Sequence, residues 1–437
     1  MAKFHMIGIK GAGMSALTQV LHDMGHEVQG SDLDTYFFTQ APLEQKRIPL
    51  YSFDADRVAE LNDRVIVASN AFKDDHPEVE ASLRAELPFY RYHTFLGDLI
   101  GRYTSVAVTG AHGKTSTTGM LAHVCKAIKP TSYLIGDGTG AGVPDSTHFI
   151  FESCEYRRHF LAYAPDYAII TNIDFDHPDY FSGLDDVTLA FQQMTDRVKK
   201  HVVAFGDDDQ VRSLRPPVPI LLYGFGEHNA LRAADVRVEE EGLSFEALLH
   251  DNKLGRFQIP GFGRHNVLNA LAVIGICVLE DFNLDQVRAE MMTFGGVKRR
   301  FTEKLVAGNV LIDDYAHHPT EIRATLDAVR TKYPNRQVVS VFQPHTYSRL
   351  EKFMDDFAHS LSASDQVYLC GIFGSARENK GNISIEQLME RIPSSKLLSE
   401  QNVDYALKDY SDCVLLFMGA GDVHKYQQKY EDTMAVL

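Results

Sequence analysis

Ser105-Val-Ala-Val-Thr-Gly-Ala-His-Gly-Lys-Thr-Ser-Thr-Thr118 runs from an apolar stretch through two glycines into hydroxyl residues. Val106 to Val108 suit a buried strand, Gly110 and Gly113 let the backbone bend back, and Ser116 to Ile128 read as a helix stopped by Pro130. Such a loop is a phosphate cradle, because its amides and the helix N-terminus point positive charge at an anion. Lys114 reaches terminal phosphates, and the Thr115 hydroxyl suits Mg²⁺. The usual P-loop has its first glycine where this chain has Val108, so the motif is a shorter variant, Gly-x-x-Gly-Lys-Thr. With a strand before it and a helix after it, Gly110, Ala111, His112, Gly113, Lys114, Thr115 and Ser116 form the expected nucleotide phosphate site.

Upstream, Phe4 to Ile9 reads as a strand, Gly8-Ile-Lys-Gly-Ala-Gly-Met-Ser15 as a turn, and the residues to about Met24 as a helix. Val28, Gly30, Ser31 and Asp32 then resemble a second strand ending in an acid. This is the layout of a Rossmann-type unit, in which glycines admit a pyrophosphate and the acid takes a ribose hydroxyl. Glycines at 8, 11 and 13 do not have dehydrogenase spacing, so a nucleotide other than NAD is the expected ligand. A tight strand-to-helix turn with no ligand selects the same glycines. A further strand from Arg64 to Ser69 ends at Asn70, and the unit closes near Gly101.

Downstream, Phe149-Ile-Phe-Glu-Ser-Cys-Glu155 reads as a strand emerging at two carboxylates, and a carboxylate beside a P-loop is a hard oxygen ligand for phosphate-bound Mg²⁺. Tyr167 to Thr171 is another buried strand, leading into Asn172-Ile-Asp-Phe-Asp-His177. His177 reads either as a metal or phosphate contact or as a solvated turn residue. Residues 198 to 258 show strand-like runs and a charged hairpin near Glu239 to Gly242, without evident chemistry. His265, Asn266 and Asn269 open an apolar helix to about Leu279, where they serve equally as caps or as partners of an adenine edge. Phe294-Gly-Gly-Val-Lys-Arg-Arg300 suggests a hinge bearing phosphate-directed cations. The last third repeats strand, loop and helix as a second parallel α/β unit, with polar clusters after strands at Asp313 to His318, Gln343 to Arg349 and Gly419 to Asp422. A single helix is expected over Leu350 to Ser362.

The length, 437 residues, is enough for two to four domains, and 44% hydrophobic residues suffice for real cores. A net charge of −16 argues against non-specific binding to nucleic acid or anionic membranes. Five cysteines without metal spacing read as free thiols. The N-terminus reads as a strand rather than a signal peptide, and no apolar run reaches spanning length, so a cytoplasmic protein is expected.

Taken together, these stretches resemble the Mur ligases, the family that builds the peptide stem of the bacterial cell wall, and the resemblance runs nearly end to end. The Gly8 to Ser15 turn with Gly30-Ser-Asp32 is similar to the family's UDP-binding start, and Thr109 to Thr115 to its ATP loop. Thr171 to His177 resembles its metal-histidine loop, and His265 to Asn269 its adenine-contacting helix start. Asp313-Asp-Tyr-Ala-His-His-Pro319 with Gln343-Pro-His-Thr-Tyr-Ser-Arg349 looks more like the alanine-adding subgroup than like siblings that add later residues.

The resemblance implies three α/β domains: a Rossmann-like UDP-sugar-binding domain over 1–100, a central P-loop ATPase-type domain over 101–297 and a Rossmann-like amino-acid-binding domain over 298–437. It implies amide formation between L-alanine and the carboxylate of UDP-N-acetylmuramate, driven by ATP with Mg²⁺ through an acyl phosphate, in peptidoglycan synthesis. The alternative is a sibling that attaches a recycled murein peptide to the same sugar nucleotide. Lys114, Glu155, His177, His317 and Arg349 are then the expected catalytic residues, and Thr115, Glu155 and His177 the metal ligands. His265, Asn266, Asn269 and Arg300 join the ATP loop in holding nucleotide. Gly11, Gly13, Met14, Ser15, Asp32, Asn70, Tyr315, His317 and Arg349 are placed on the substrates. The run Glu152-Ser-Cys-Glu-Tyr-Arg-Arg158 is less acidic than the family's usual stretch. No lysine lies between Lys129 and Lys199, so the modified lysine of several siblings is not expected.

Overall fold

The computed structural model describes residues 1–374, 378 and 381–435. Among these, three sheets form, each sandwiched by helices. The apolar strand Lys3–Ile7 sits in the middle of the first, an all-parallel sheet ordered Leu50–Ser52, Glu27–Asp32, Lys3–Ile7, Val65–Ala68, Phe89–Arg91. Helix Ala12–Asp23 covers it with a buried face from Met14 to Leu21. Strand order reverses beside Lys3–Ile7, which opens a crevice at the carboxyl ends of the strands.

The second sheet has ten strands, with Thr104–Thr109 between Tyr167–Ile170 and His148–Glu152. These strands are buried on both faces, the pattern of a parallel sheet covered by helices on each side. Lys114–Ile128 and the almost wholly apolar Arg264–Leu279 supply one such cover, sharing a core with Val106, Val108 and Ile169. Residues 201–259 prolong the sheet: His201–Phe205 and Ile220–Gly224 continue it in parallel, and Leu231–Glu239, Gly242–Leu249 and Asn252–Ile259 close it as an antiparallel ladder.

The third sheet is ordered Thr302–Val306, Asn309–Asp314, Cys413–Met418, Gln337–Phe342, Gln366–Cys370, Lys396–Leu398. It is mixed rather than purely parallel, because Thr302–Val306 pairs antiparallel at one edge. That strand is mostly exposed and carries no buried alternation for a sequence reading to find. The helix expected over Leu350 to Ser362 is two, Tyr347–Lys352 and Met354–Leu361, because Phe353 leaves helical geometry at φ −116°, ψ 25°. No helix among the described residues is long and apolar enough to cross a membrane.

Candidate functional site

The P-loop is held by the end of the neighbouring strand. Gly110 has φ +132°, and a Cβ there would lie 2.0 Å from the Thr171 hydroxyl oxygen. Gly113 has φ +80° immediately before helix Lys114–Ile128. Asn172 brackets the loop: its Oδ1 accepts from the His112 amide at 2.9 Å, and its Nδ2 donates to the His112 carbonyl at 3.0 Å. Lys114 Nζ donates to the Ala111 carbonyl at 3.0 Å and pairs with Glu155 Oε2 at 3.0 Å. Burial opposes the lysine's charge, but Glu155, with Cys154 and Glu152 behind it, holds its pKa above the ordinary value.

Beside Glu155 stands one further sequence-predicted metal residue, His177. His177 Nε2 lies 3.6 Å from Glu155 Oε1, and burial lowers the histidine's pKa despite Asp176 and Glu155 nearby. Thr115 contributes to the hydrogen bonding of Glu152, whose carboxyl is raised by burial and also accepts from the Gly136 amide. Thr115 and His177 line one cleft, with the Glu155 carboxylate buried just behind it, and such oxygen and imidazole donors suit a divalent cation bound to phosphate oxygens.

Two cavities meet at this loop. One, of about 760 Å³, lies between the second and third sheets and is lined by His112, Gly113, Ser116, His265, Asn266, Asn269 and Arg300. The buried Nδ2 of Asn269 has no partner of its own there. Asn266 Nδ2, by contrast, donates to the Phe262 carbonyl, and burial pushes His265 down to about 4, so it stays neutral. The other, of about 590 Å³, touches all three sheets' loops and is lined by Gly8, Gly11, Asp32, Lys114, Thr115, His177, Arg300, Tyr315 and His317. Asp32 accepts from the Lys10 and Leu33 amides at 2.7 and 2.8 Å, which fixes the turn at its mouth.

Other expected substrate residues lie elsewhere. Met14 and Ser15 are buried behind the turn, with the Ser15 hydroxyl donating to the Thr39 carbonyl, because they begin the core face of helix Ala12–Asp23. Gly13 makes room for the Tyr92 hydroxyl, and Asn70 Oδ1 accepts from the His93 amide. Arg349 is 4% exposed and gives both Nε (3.0 Å) and Nη2 (2.8 Å) to Asp176 Oδ1, so in this arrangement its charge is already matched. Burial opposes ionisation of Asp176, yet Arg349 holds its carboxyl well below the usual range.

Matches to three family models cover most of the chain: "Mur ligase family, catalytic domain" over residues 3–104, "Mur ligase middle domain" over 108–277 and "Mur ligase, glutamate ligase domain" over 299–421. The chain belongs to the Mur ligase family. The ligase is similar over 100% of both chains to the UDP-N-acetylmuramate-alanine ligase MurC of Thermotoga maritima, at 25% identity and a TM-score of 0.84. A murein peptide ligase of Psychrobacter arcticus shares its fold at 23% identity and TM-score 0.74, covering 100% of this chain and 99% of the other. The UDP-N-acetylmuramate:L-alanyl-gamma-D-glutamyl-meso-diaminopimelate ligase of Neisseria meningitidis matches 68% of this chain and all of its own, at 28% identity and TM-score 0.61.

Sequence reasoning missed the acids that tie the ligase's P-loop to its third domain. Glu321 faces His317 Nδ1 at 3.0 Å, Arg300 at 3.4 Å and His112 Nδ1 at 3.6 Å. Asp174 Oδ2 accepts from the Thr320 hydroxyl at 2.9 Å and lies 3.0 Å from His112 Nε2. Glu321 stands at the third position of helix Pro319–Lys332 and its carboxylate also accepts from the His318 amide, so a capping box was the available signal. Phe72, packed against Gly8 at the cleft mouth, had no such signal.

Proposed function

We propose that this Mur ligase, an ATP-dependent amide ligase of peptidoglycan synthesis, joins L-alanine to the carboxylate of UDP-N-acetylmuramate. The observation that carries the reading is the full-length likeness to the T. maritima alanine ligase, shared over every domain. The loops on the third sheet that the alanine-adding subgroup resembles, Asp313 to Pro319 and Gln343 to Arg349, open on the same cleft or its wall.

A free carboxylate is a poor electrophile. Its oxygen therefore attacks the γ-phosphorus of ATP, ADP leaves, and the resulting acyl phosphate is attacked by the alanine amine with loss of phosphate and a proton. The protein's task is positioning and neutralisation of charge. In this reading Asn269, His265 and Asn266 face the base in the 760 Å³ cavity, and the P-loop amides face the phosphates. Lys114 exchanges its carbonyl and Glu155 partners for terminal phosphate oxygens. Thr115, Glu155 and His177 would hold Mg²⁺, which would supply charge neutralisation at the phosphates. The glycine turn with Asp32 orients the uridine nucleotide, so that the sugar's carboxylate points along the cleft toward Lys114. His317, backed by Glu321, and Tyr315 with Arg300 stacked at 5.2 Å form the amino-acid side of the cleft.

A murein-peptide ligase is the second reading, favoured by the 28% identity to the Neisseria enzyme. Phosphate release with UDP-N-acetylmuramate, ATP and either L-alanine, other single amino acids or the tripeptide separates the two. Release should require the sugar nucleotide together with L-alanine, and release with the tripeptide alone would favour the sibling. Turnover of ATP by the protein without either substrate would contradict both.

A further inference from the structure

The ligand atoms of Cys154, Glu155 and His177 lie within 4.8 Å of one another. Cys154 lines the 590 Å³ cleft, whereas Cys125, Cys277, Cys370 and Cys413 sit in the cores of the second and third domains. Glu155 Oε1 and His177 Nε2 are 3.6 Å apart. In a tetrahedral zinc site, bonds of roughly 2.0 to 2.3 Å place neighbouring donors about 3.4 Å apart, so this pair already spans one edge. Thiolate, carboxylate and imidazole are all zinc donors, and three protein ligands leave a fourth position for water. Magnesium takes hard oxygen ligands and gains little from sulfur.

We propose that Cys154, Glu155 and His177 form a binding site for a thiophilic divalent cation, zinc or cadmium, which holds Glu155 and His177 away from magnesium. The thiol proton passes to solvent as the sulfur–metal bond forms, so no oxidant or further reactant takes part. Lys114 is the competing cation, since its ammonium lies 3.0 Å from Glu155 Oε2. Removing that ammonium should therefore strengthen thiophilic binding, the opposite of its effect on a nucleotide phosphate. The exclusion of magnesium rests on the magnesium assignment above, whereas the thiophilic site itself does not, because the test reads metal binding and not turnover.

Cobalt(II) is the probe, since thiolate bound to it gives an intense near-ultraviolet charge-transfer band that oxygen and nitrogen ligands do not. One equivalent of cobalt added to the reduced protein should raise the band, zinc should remove it, and magnesium should leave it. Cys154→Ser should lose the band and bind zinc about tenfold more weakly or worse by calorimetry. Lys114→Met, which keeps all three donors and stays informative if the serine variant misfolds, should saturate at lower cobalt than the parent. No band in the parent at saturating cobalt, a band that survives in Cys154→Ser, or a Lys114→Met protein that needs more cobalt each overturns the site.

Discussion

Glu155 is buried behind the cleft wall: it is 2% exposed, it neutralises Lys114, and it stands beside His177. Glu155→Gln keeps its shape and removes the charge. Steady-state phosphate release should fall by about 10²-fold or more, since an electrostatic term of this kind is worth roughly 3 kcal/mol. Parental turnover at ordinary magnesium would strip Glu155 of its metal role. Glu155 and His177 were legible because each follows an apolar strand, where ligands of such sheets gather. Asp176 adjoins His177 in the same loop and was still missed as a functional residue. Its partner Arg349 is 173 residues further on, and no local pattern announces a contact of that range.

At the scale of elements, the strands with two buried faces were readable and the edges were not. Thr104–Thr109 and Cys413–Met418 are buried almost throughout and carry apolar runs at residues 106–108 and 414–418, whereas Leu50–Ser52, Phe89–Arg91 and Lys396–Leu398 are three residues each and half exposed, too short for a period to register. The loop between strand and helix carries the sharpest steric test. Gly110→Ala puts a methyl group 2.0 Å from Thr171 Oγ1 at φ +132°, so the cradle must shift. Affinity for ADP by calorimetry should fall by more than about tenfold, or 1.4 kcal/mol. Gly25→Ala, also at positive φ but with nothing within 4 Å, should leave ADP affinity unchanged while costing some stability.

At the scale of the molecule, the third domain is docked on the second through ionised side chains. His112 lies between Asp174 and Glu321; burial works against its charge, but these two acids raise it to about 9. A histidine raised above its unfolded pKa near 6.5 contributes fully below about pH 6.5, and its contribution is lost as pH climbs through about 9. Denaturation midpoints should therefore fall across that window in the parent and change less in His112→Gln. The second tie is Asp176 with Arg349, both nearly free of water. Asp176→Asn leaves a guanidinium buried and unmatched, which should cost about 3–5 kcal/mol, read as a lower unfolding midpoint or faster proteolysis of the third domain. Pairing Asp176→Leu with Arg349→Met should recover much of the loss, because two apolar groups need no counter-charge. Three domains and their glycine loops could be read from sequence; the way charges knit them together could not, since it depends on where separate loops meet.

The order of strands in the third sheet also bears on how the chain is made. Cys413–Met418 enters between Asn309–Asp314 and Gln337–Phe342, so this middle strand is synthesised after both of its neighbours. Until it arrives, that sheet is two unjoined pieces, and its apolar edges at Ile312 and Val339 face a gap. Synthesis proceeds from the N-terminus and domains fold as units, so the two earlier domains have time to form while this one waits. A nascent chain halted shortly before residue 413 thus carries a finished P-loop without the wall that Tyr315, His317 and Glu321 provide. The P-loop can therefore form before the third-domain wall that both cavities share.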